Sequence, residues 1–314
     1  MLALRSVSGK RSTAPVRRGR LLRQEAIDGF VFITPWLLGF VLWTAWPMLF
    51  SLGLVFTNWS VLTKPSFAGL ANFSRLAQDR LFYIALGNTA YYTFVAVPLT
   101  LVTNLIVALA LNLKLAGINI FRTVYYMPTI IPQVANVMLW MWIFNPEFGL
   151  ANALLTRLGL PKLGWFWDPR WSKNAMIFMT LWGFGTGMII FLAALQGVPQ
   201  ELYEVGQLDG ANSLQLLWHV TIPMITPVVF FNLCMGIIGS FQIFTTAFIV
   251  SDGKGGPANS TLFLVLYLYR NGFEFFRMGY ASLIAWVLFA IILLVTLIQF
   301  RLARRWVYYE QEVI

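Results

Sequence analysis

The chain of 314 residues is 59% hydrophobic and only 11% charged, with a mean hydropathy of +0.72, more apolar content than a soluble core of this length can hide. Its formal net charge of +10 invites a nucleic-acid reading, but seven of the 22 Lys and Arg residues precede the first apolar run: Arg5, Lys10, Arg11, Arg17, Arg18, Arg20 and Arg23. A juxtamembrane basic tail, held on the cytoplasmic side and drawn to anionic headgroups, accounts for the charge and excludes the need for a polyanionic partner.

Apolar runs of membrane-crossing length follow in chain order at Phe30–Phe56, Tyr83–Leu113, Thr123–Phe144, Asn174–Leu195, Val220–Val250 and Gly279–Phe300, each long enough for a helix that needs roughly 20 apolar residues to cross the hydrocarbon. None of these runs contains Asp, Glu, Lys or Arg. The expected fold is therefore all-α, a polytopic membrane protein with about six transmembrane helices. The first run is too long for a signal-peptide core and lacks a small-residue cleavage pattern, so it reads as a retained helix. Pro35, Pro47, Pro98, Pro128, Pro132 and Pro227 lie within or near the runs and are expected to kink or start helices. The division expected from this pattern is a basic cytoplasmic tail over 1–29, a membrane domain over 30–300 and a cytoplasmic tail over 301–314.

An even number of crossings puts both termini on one side. The tails carry the seven residues above plus Arg301, Arg304 and Arg305, whereas the connections on the tail side offer only Lys114 and Arg122. Across the membrane stand Lys64, Arg75, Arg80, Arg157, Lys162, Arg170, Lys173, Lys254, Arg270 and Arg277. The charge balance is divided, and the weight of the tail cluster places the termini in the cytoplasm. Within the last outer connection, Thr261–Tyr269 is apolar but too short to cross, which predicts a re-entrant or interfacial segment.

The connection over 196–222 is the informative one. Pro199 suits a first helical turn, Gln200 and Glu201 an acidic N-terminus, and Asp209-Gly210 a break, so the spacing predicts a short helix over Gln200–Leu208 and a second one beyond. Leu202, Val205 and Leu208 give the first helix one apolar face, suited to a membrane surface or a partner's groove. Pro223 opens the next membrane run.

Glu204-Val205-Gly206, then Gly210 and, nine residues further, Val220-Thr-Ile-Pro223 resemble the Glu-Ala-Ala motif shared by permease subunits of bacterial ABC importers. The two alanines are replaced by Val205 and Gly206, which keep small or apolar character. Further stretches narrow the resemblance to the carbohydrate branch, the maltose-type permeases: Phe67-Ala-Gly-Leu-Ala-Asn-Phe73, Gly117-Ile-Asn-Ile-Phe-Arg-Thr123, Pro128-Thr-Ile-Ile-Pro132, Phe144-Asn-Pro-Glu-Phe-Gly-Leu150, Leu202-Tyr-Glu204 and Gly255-Gly-Pro257. The resemblance implies a location in the bacterial inner membrane and a cytoplasmic coupling-helix loop in which Glu204, Val205, Gly206, Leu208, Asp209, Gly210, Ala211 and Pro223 dock an ATPase. It also implies a second, different permease, two ATPase subunits and an extracytoplasmic solute-binding protein as partners. ATP and magnesium belong to the ATPases, and this chain is expected to be non-catalytic and to hold no cofactor or metal. The residues agree on that point, since no Gly-x-x-x-x-Gly-Lys-Ser/Thr cradle occurs and Gly253-Lys254-Gly255-Gly256 lacks its frame.

For the transported molecule, polar groups inside apolar runs are the signal. Ser240, Gln242 and Thr245, with Thr246, sit in the fifth run, and Trp182, Gly183 and Thr186 sit in the glycine-rich Leu181-Trp-Gly-Phe-Gly-Thr-Gly187 of the fourth. A cluster with an amide suits hydroxyl recognition, while glycines admit either a ligand or a neighbouring helix. By resemblance these two runs line the substrate cavity, and asparagines of the family's site fall near Ser240 and Ile243. Other Trp residues, Trp36, Trp43, Trp46, Trp140 and Trp142 among them, fit an interfacial belt. His219 has no second ligand beside it, and Cys234 reads as a small core residue. An ion-coupled secondary transporter is disfavoured because no carboxylate lies in a run, and a non-transporting assembly subunit would need no spaced loop motif. The sugar itself is open, with di- or oligosaccharides foremost and a polyol or glycerol phosphate as alternatives.

Overall fold

The computed structural model describes residues 18–113 and 115–308. The predicted basic tail before residue 18, Lys114 and the end of the C-terminal tail beyond residue 308 lie outside the described residues. Two units are distinguished, Met1–Gly53 and Leu54–Ile314.

In the first unit α1 (Arg18–Phe40) runs through a π-helical turn, Val41–Ala45, into α2 (Trp46–Leu54). The wide turn has a cause in the sequence. Pro47 has no N–H, and its ring presses on the carbonyl four residues back, at Trp43, so an extra residue in the turn relieves the clash without ending the helix. Trp36 stacks on Phe40 with centroids 5.5 Å apart. Trp36, Trp43 and Trp46 are exposed on this apolar helix.

The second unit begins with a two-stranded hairpin, β1 (Thr57–Asn58) antiparallel to β2 (Ser66–Phe67), followed by α3 (Ala71–Gln78). Buried Asn72 closes this corner by donating to the carbonyls of Val55 at 2.8 Å and Thr57 at 3.0 Å. The central element is α4 (Arg80–Leu111), whose N-terminus is capped by Asp79 through the Leu81 and Phe82 amides. Next come α5 (Ile118–Tyr126), a 3-10 turn at Met127–Ile130, α6 (Gln133–Ile143) and α7 (Leu150–Arg157). Then α8 (Ser172–Leu181) and α9 (Gly185–Gln196) meet at a 46° bend. The connection over 196–222 holds α10 (Gln200–Leu208) and α11 (Ser213–Leu216), which widens into a π turn, Leu217–Thr221, before α12 (Ile222–Phe241). This second wide turn stands ahead of Pro223 just as the first stands ahead of Pro47, and here the carbonyl relieved is that of His219. The chain ends with α13 (Thr245–Val250), α14 (Leu264–Tyr269) and α15 (Met278–Ala303).

Among the described residues four stretches are long and apolar enough to cross a membrane: Leu22–Leu54, Arg80–Leu111, Ser213–Val250 and Met278–Ala303, with the bent pair α8 and α9 as a fifth path. The expected third run, Thr123–Phe144, is not one helix. Pro128 and Pro132 remove two backbone donors in five residues and leave an extended Ile131 between α5 and α6. The expected fifth run is broken as well, at Gln242–Phe244 between α12 and α13. Thr261–Tyr269, expected to be re-entrant or interfacial, is packed inside the protein: Thr261, Leu262, Phe263, Leu264 and Leu266 are all buried, and α14 packs against α4 and α15.

One large core joins α4, α8, α12 and the loops beside the start of α4, and a second joins the far half of α4 to α9 and α12. Polar side chains staple these loops to α4. Asn88 donates to the carbonyls of Asn259 (2.8 Å) and Leu262 (3.0 Å) and accepts from Lys173 (3.0 Å). Asn152 is satisfied at both ends, holding the Pro146 and Leu163 carbonyls and accepting from Leu163 N and the Trp165 indole. Cys234 is buried beside Phe230 and Ala303, as a core residue should be.

Candidate functional site

The helix breaks converge. Around them lies a cavity of about 820 Å³ bounded by α4, α6, α8, α9, α12 and α13, a size within the small-molecule range of roughly 300–1,000 Å³. Glycine explains how the helices open this space without losing contact elsewhere. A Cβ on Gly187 would stand 1.9 Å from the Asn104 amide nitrogen, and one on Gly185 would stand 2.7 Å from Thr129, so these two serve close packing of α9 on α4 and on the 3-10 turn. Gly187 also lines the cavity, together with Gly183, Gly236 and Gly239.

Its walls carry amides and hydroxyls: Asn104, Gln133, Asn136, Asn232 and Gln242, with Tyr92, Thr100, Thr180, Thr186, Ser240, Thr245 and Thr246. The lining includes no Asp, Glu, Lys, Arg or His. Tyr92 and Thr180 are preset by a 2.7 Å hydrogen bond in which the phenol donates, because the Thr180 hydroxyl is given to the Met176 carbonyl at 2.9 Å. The Gln133 amide nitrogen lies 3.5 Å from the Thr246 hydroxyl, joining α6 to α13 across the breaks. Such a surface can bind a neutral, hydroxyl-rich molecule and offers nothing to a permanent charge.

Of the residues singled out from sequence, Gly183, Thr186, Ser240, Gln242, Ile243 and Thr245 line the cavity. Trp182 does not. The break after α8 turns it outward, where it is 47% exposed and packs edge-on against Trp140 at 6.0 Å. Contributions from α4 and α6 were not read from sequence. Gln133 and Asn136 had a signal, two amides one turn apart in an apolar helix directly after Pro132. Asn104 and Thr100 had none, since isolated polar residues in a long apolar helix read as interhelical glue.

The connection over 196–222 forms a second site. Helix α10 spans Gln200–Leu208 as expected, and Gly210 takes φ +81° directly after it, a left-handed turn that only glycine adopts without strain. Asn212 and Gln215 cap α11 reciprocally, an unpredicted capping box legible as Asn-Ser-Leu-Gln. Gly206 brings α10 against α11: a Cβ there would lie 2.6 Å from the Leu216 side chain. Tyr203 bonds Thr221 at 3.0 Å, tying α10 to the start of the next membrane helix, where Pro223 follows. Leu202, Val205 and Leu208 are exposed, Leu208 to 88%. Glu204 accepts from the Gln200 amide at 3.2 Å, and Asp209, Gly210 and Ala211 form the turn. His219 bonds the Gln215 carbonyl at 3.0 Å, a local contact. Among the described residues no group of His, Cys and carboxylates is arranged to hold a metal.

Residues 91–308 match the family described as binding-protein-dependent transport system inner membrane component. The chain is 39% identical over 95% of its length to the "Probable ABC transporter permease protein YesP" of Bacillus subtilis, covering 97% of that protein. It is 34% identical over 93% of its length to the lactose transport system permease protein LacF of Rhizobium radiobacter, covering 99% of it. In fold it is similar to a chain of a bacterial alginate ABC transporter in complex with an alginate pentasaccharide-bound periplasmic protein, at TM-score 0.79 and 22% identity, with 91% of this chain and 98% of that one covered.

Proposed function

This chain belongs to the family of binding-protein-dependent transport system inner membrane components, and from that premise we propose that it is the permease subunit of an ATP-driven importer of a neutral sugar. The uncharged, amide- and hydroxyl-lined cavity at the helix breaks carries the substrate reading. Sugars present hydroxyl groups that both donate and accept, which matches a lining of this kind, and a charged substrate would be buried there without a partner. The relatives' lactose and the neighbour's alginate mark a carbohydrate class, and the absence of basic groups from the lining favours a neutral di- or oligosaccharide over an acidic one.

In this reading a solute-binding protein delivers the sugar, a second permease completes the pore, and two ATPase subunits with ATP and magnesium drive alternating access. Both termini face the cytoplasm, with the tails at 1–29 and 301–314, the pore within 30–300 and the coupling loop over 196–222. Glu204, Val205, Gly206, Leu208, Asp209, Gly210, Ala211 and Pro223 make or shape the ATPase contact. Gly183, Thr186, Ser240, Gln242, Ile243 and Thr245 line the sugar path.

The test is uptake by the complete transporter in proteoliposomes supplied with its binding protein. Gln242→Leu and Ser240→Ala should each weaken sugar handling by about 1 kcal/mol, roughly fivefold in apparent affinity or rate. Neutral oligosaccharides should be taken up in preference to uronate oligomers of the same length. Unchanged kinetics in both variants would return these residues to helix packing, and preferential uptake of the acidic oligomers would overturn the neutral-sugar assignment.

A further inference from the structure

The end of α15 carries a feature that neither the cavity nor the connection over 196–222 uses. Leu297, Phe300, Arg301, Arg304 and Arg305 line a hollow of about 580 Å³. The spacing of Leu297, Phe300, Arg301 and Arg304 puts them along one side of the helix. Gln299 and Ala303 lie on the other side, buried.

Two chemistries meet in this hollow. On the membrane side, Leu293, Leu294, Leu297 and Phe300 are exposed and form a continuous apolar surface leading into it. At the helix end the three arginines are exposed too, and none is in an ion pair among the described residues, where the pairs are Arg170 with Asp168, Lys254 with Asp252 and Arg270 with Glu274. A crossing helix ends at headgroup depth, so a cluster of guanidinium groups there meets phosphate esters at high local concentration. Guanidinium binds phosphate through paired, planar N–H donors, which an ammonium cannot reproduce.

We propose that this hollow binds an anionic phospholipid, with Arg301, Arg304 and Arg305 on the headgroup phosphate and an acyl chain along Leu297 and Phe300. The apolar wall selects a lipid over a soluble anion. The net negative charge of an anionic headgroup is met by the three arginines, whereas the choline of a zwitterionic lipid adds a like charge to the site.

The experiment uses the full chain purified with its partner subunits, in micelles containing equal amounts of phosphatidylglycerol and phosphatidylcholine, with retained lipids counted by native mass spectrometry. Wild type is expected to retain phosphatidylglycerol several-fold over phosphatidylcholine, and R301Q/R304Q/R305Q to fall to near parity. Because removing three positive charges can disturb insertion, R304Q alone and R301K/R304K/R305K are measured beside it, and both should lose a clear part of the preference. Full preference in the lysine variant would mean undirected surface charge and overturn the site. So would parity in wild type, or displacement of phosphatidylglycerol by millimolar inorganic phosphate. A preference that emerges only in E310Q/E312Q would assign the hollow to the chain's own acidic tail and equally overturn the proposal.

Discussion

At the scale of single residues, Asp79 holds more of the structure around the start of α4 together than its type suggests. Its carboxylate accepts from the Tyr267 and Tyr280 hydroxyls and from the Leu81 and Phe82 amides, and Arg75 covers the Tyr280 ring at 4.6 Å. One side chain thereby caps α4 and pins both α14 and α15 to it. Burial acts to raise the Asp79 carboxyl, but the bonds from Tyr267, Tyr280, Phe82 and Leu81 outweigh it and hold the group below the usual carboxylate range. The Tyr267 phenol is pushed up to about 12, by burial first and by Asp79 second. A depressed folded-state carboxyl stabilises the fold above the unfolded value of about 3.9, and that stabilisation is lost as pH falls through the folded value. Asp79→Asn is accordingly expected to cost about 1–2 kcal/mol at pH 7. Thermal unfolding in detergent should show a lower midpoint for the variant at pH 7 and a difference that shrinks as pH drops below the ordinary carboxylate range. A difference that stays constant with pH would remove the charge from the explanation.

Elements show which parts of the architecture local sequence controls. Helix α10 has the limits expected for it because its stops are local: Pro199 ahead, and Asp209 with a positive-φ Gly210 behind. The third run failed as a single helix for a reason also visible locally, two prolines in five residues, but continuous hydropathy masked it. Burial of α14 was not legible, since the partners that cover Leu262, Phe263 and Leu264 come from α4 and α15, far away in sequence. Gly206 illustrates the same limit. It looks like a weakened copy of the motif's second alanine, yet its missing Cβ is the space occupied by Leu216. Because a leucine tip can shift, Gly206→Ala should be tolerated, the helix propensity gain of about 1 kcal/mol offsetting the crowding. Gly206→Leu should instead part α10 from α11 and speed limited proteolysis at the Asp209–Asn212 turn. Adding Leu216→Ala should restore resistance, and cleavage of Gly206→Leu at the wild-type rate would show that this contact does not hold the loop.

For the whole molecule the question is how a cavity lined by no Asp, Glu, Lys, Arg or His is driven. The lining offers no carboxylate or basic side chain for coupling to an ion gradient, and in the importer proposed above the drive enters through the loop over 196–222. That loop is built as a short rigid lever. Gly206 seats α10 on Leu216, Tyr203 ties it to Thr221, and the π turn ahead of Pro223 joins it directly to α12, which carries Ser240 at its far end. A push on α10 therefore reaches the helix that breaks at Gln242, beside the cavity, by rigid-body motion of packed elements. The exposed side of the lever presents Leu202, Val205 and Leu208 as apolar contact area and Glu204 as a carboxylate. Among the described residues Glu204 bonds only its neighbour Gln200, so reversing its charge should change the stability of this chain by no more than about 0.5 kcal/mol. Against a basic groove on an ATPase the same change removes a charge-assisted contact and adds repulsion, together costing about 2 kcal/mol or roughly 30-fold in association. Glu204→Lys is thus expected to insert and unfold like wild type, to bind the ATPase more weakly, and to lose sugar uptake in parallel. An acidic substitution in the facing groove should recover part of both. If Glu204→Lys binds the ATPase and transports at wild-type rates, the lever does not engage its motor through this face, and the drive must enter the pore elsewhere.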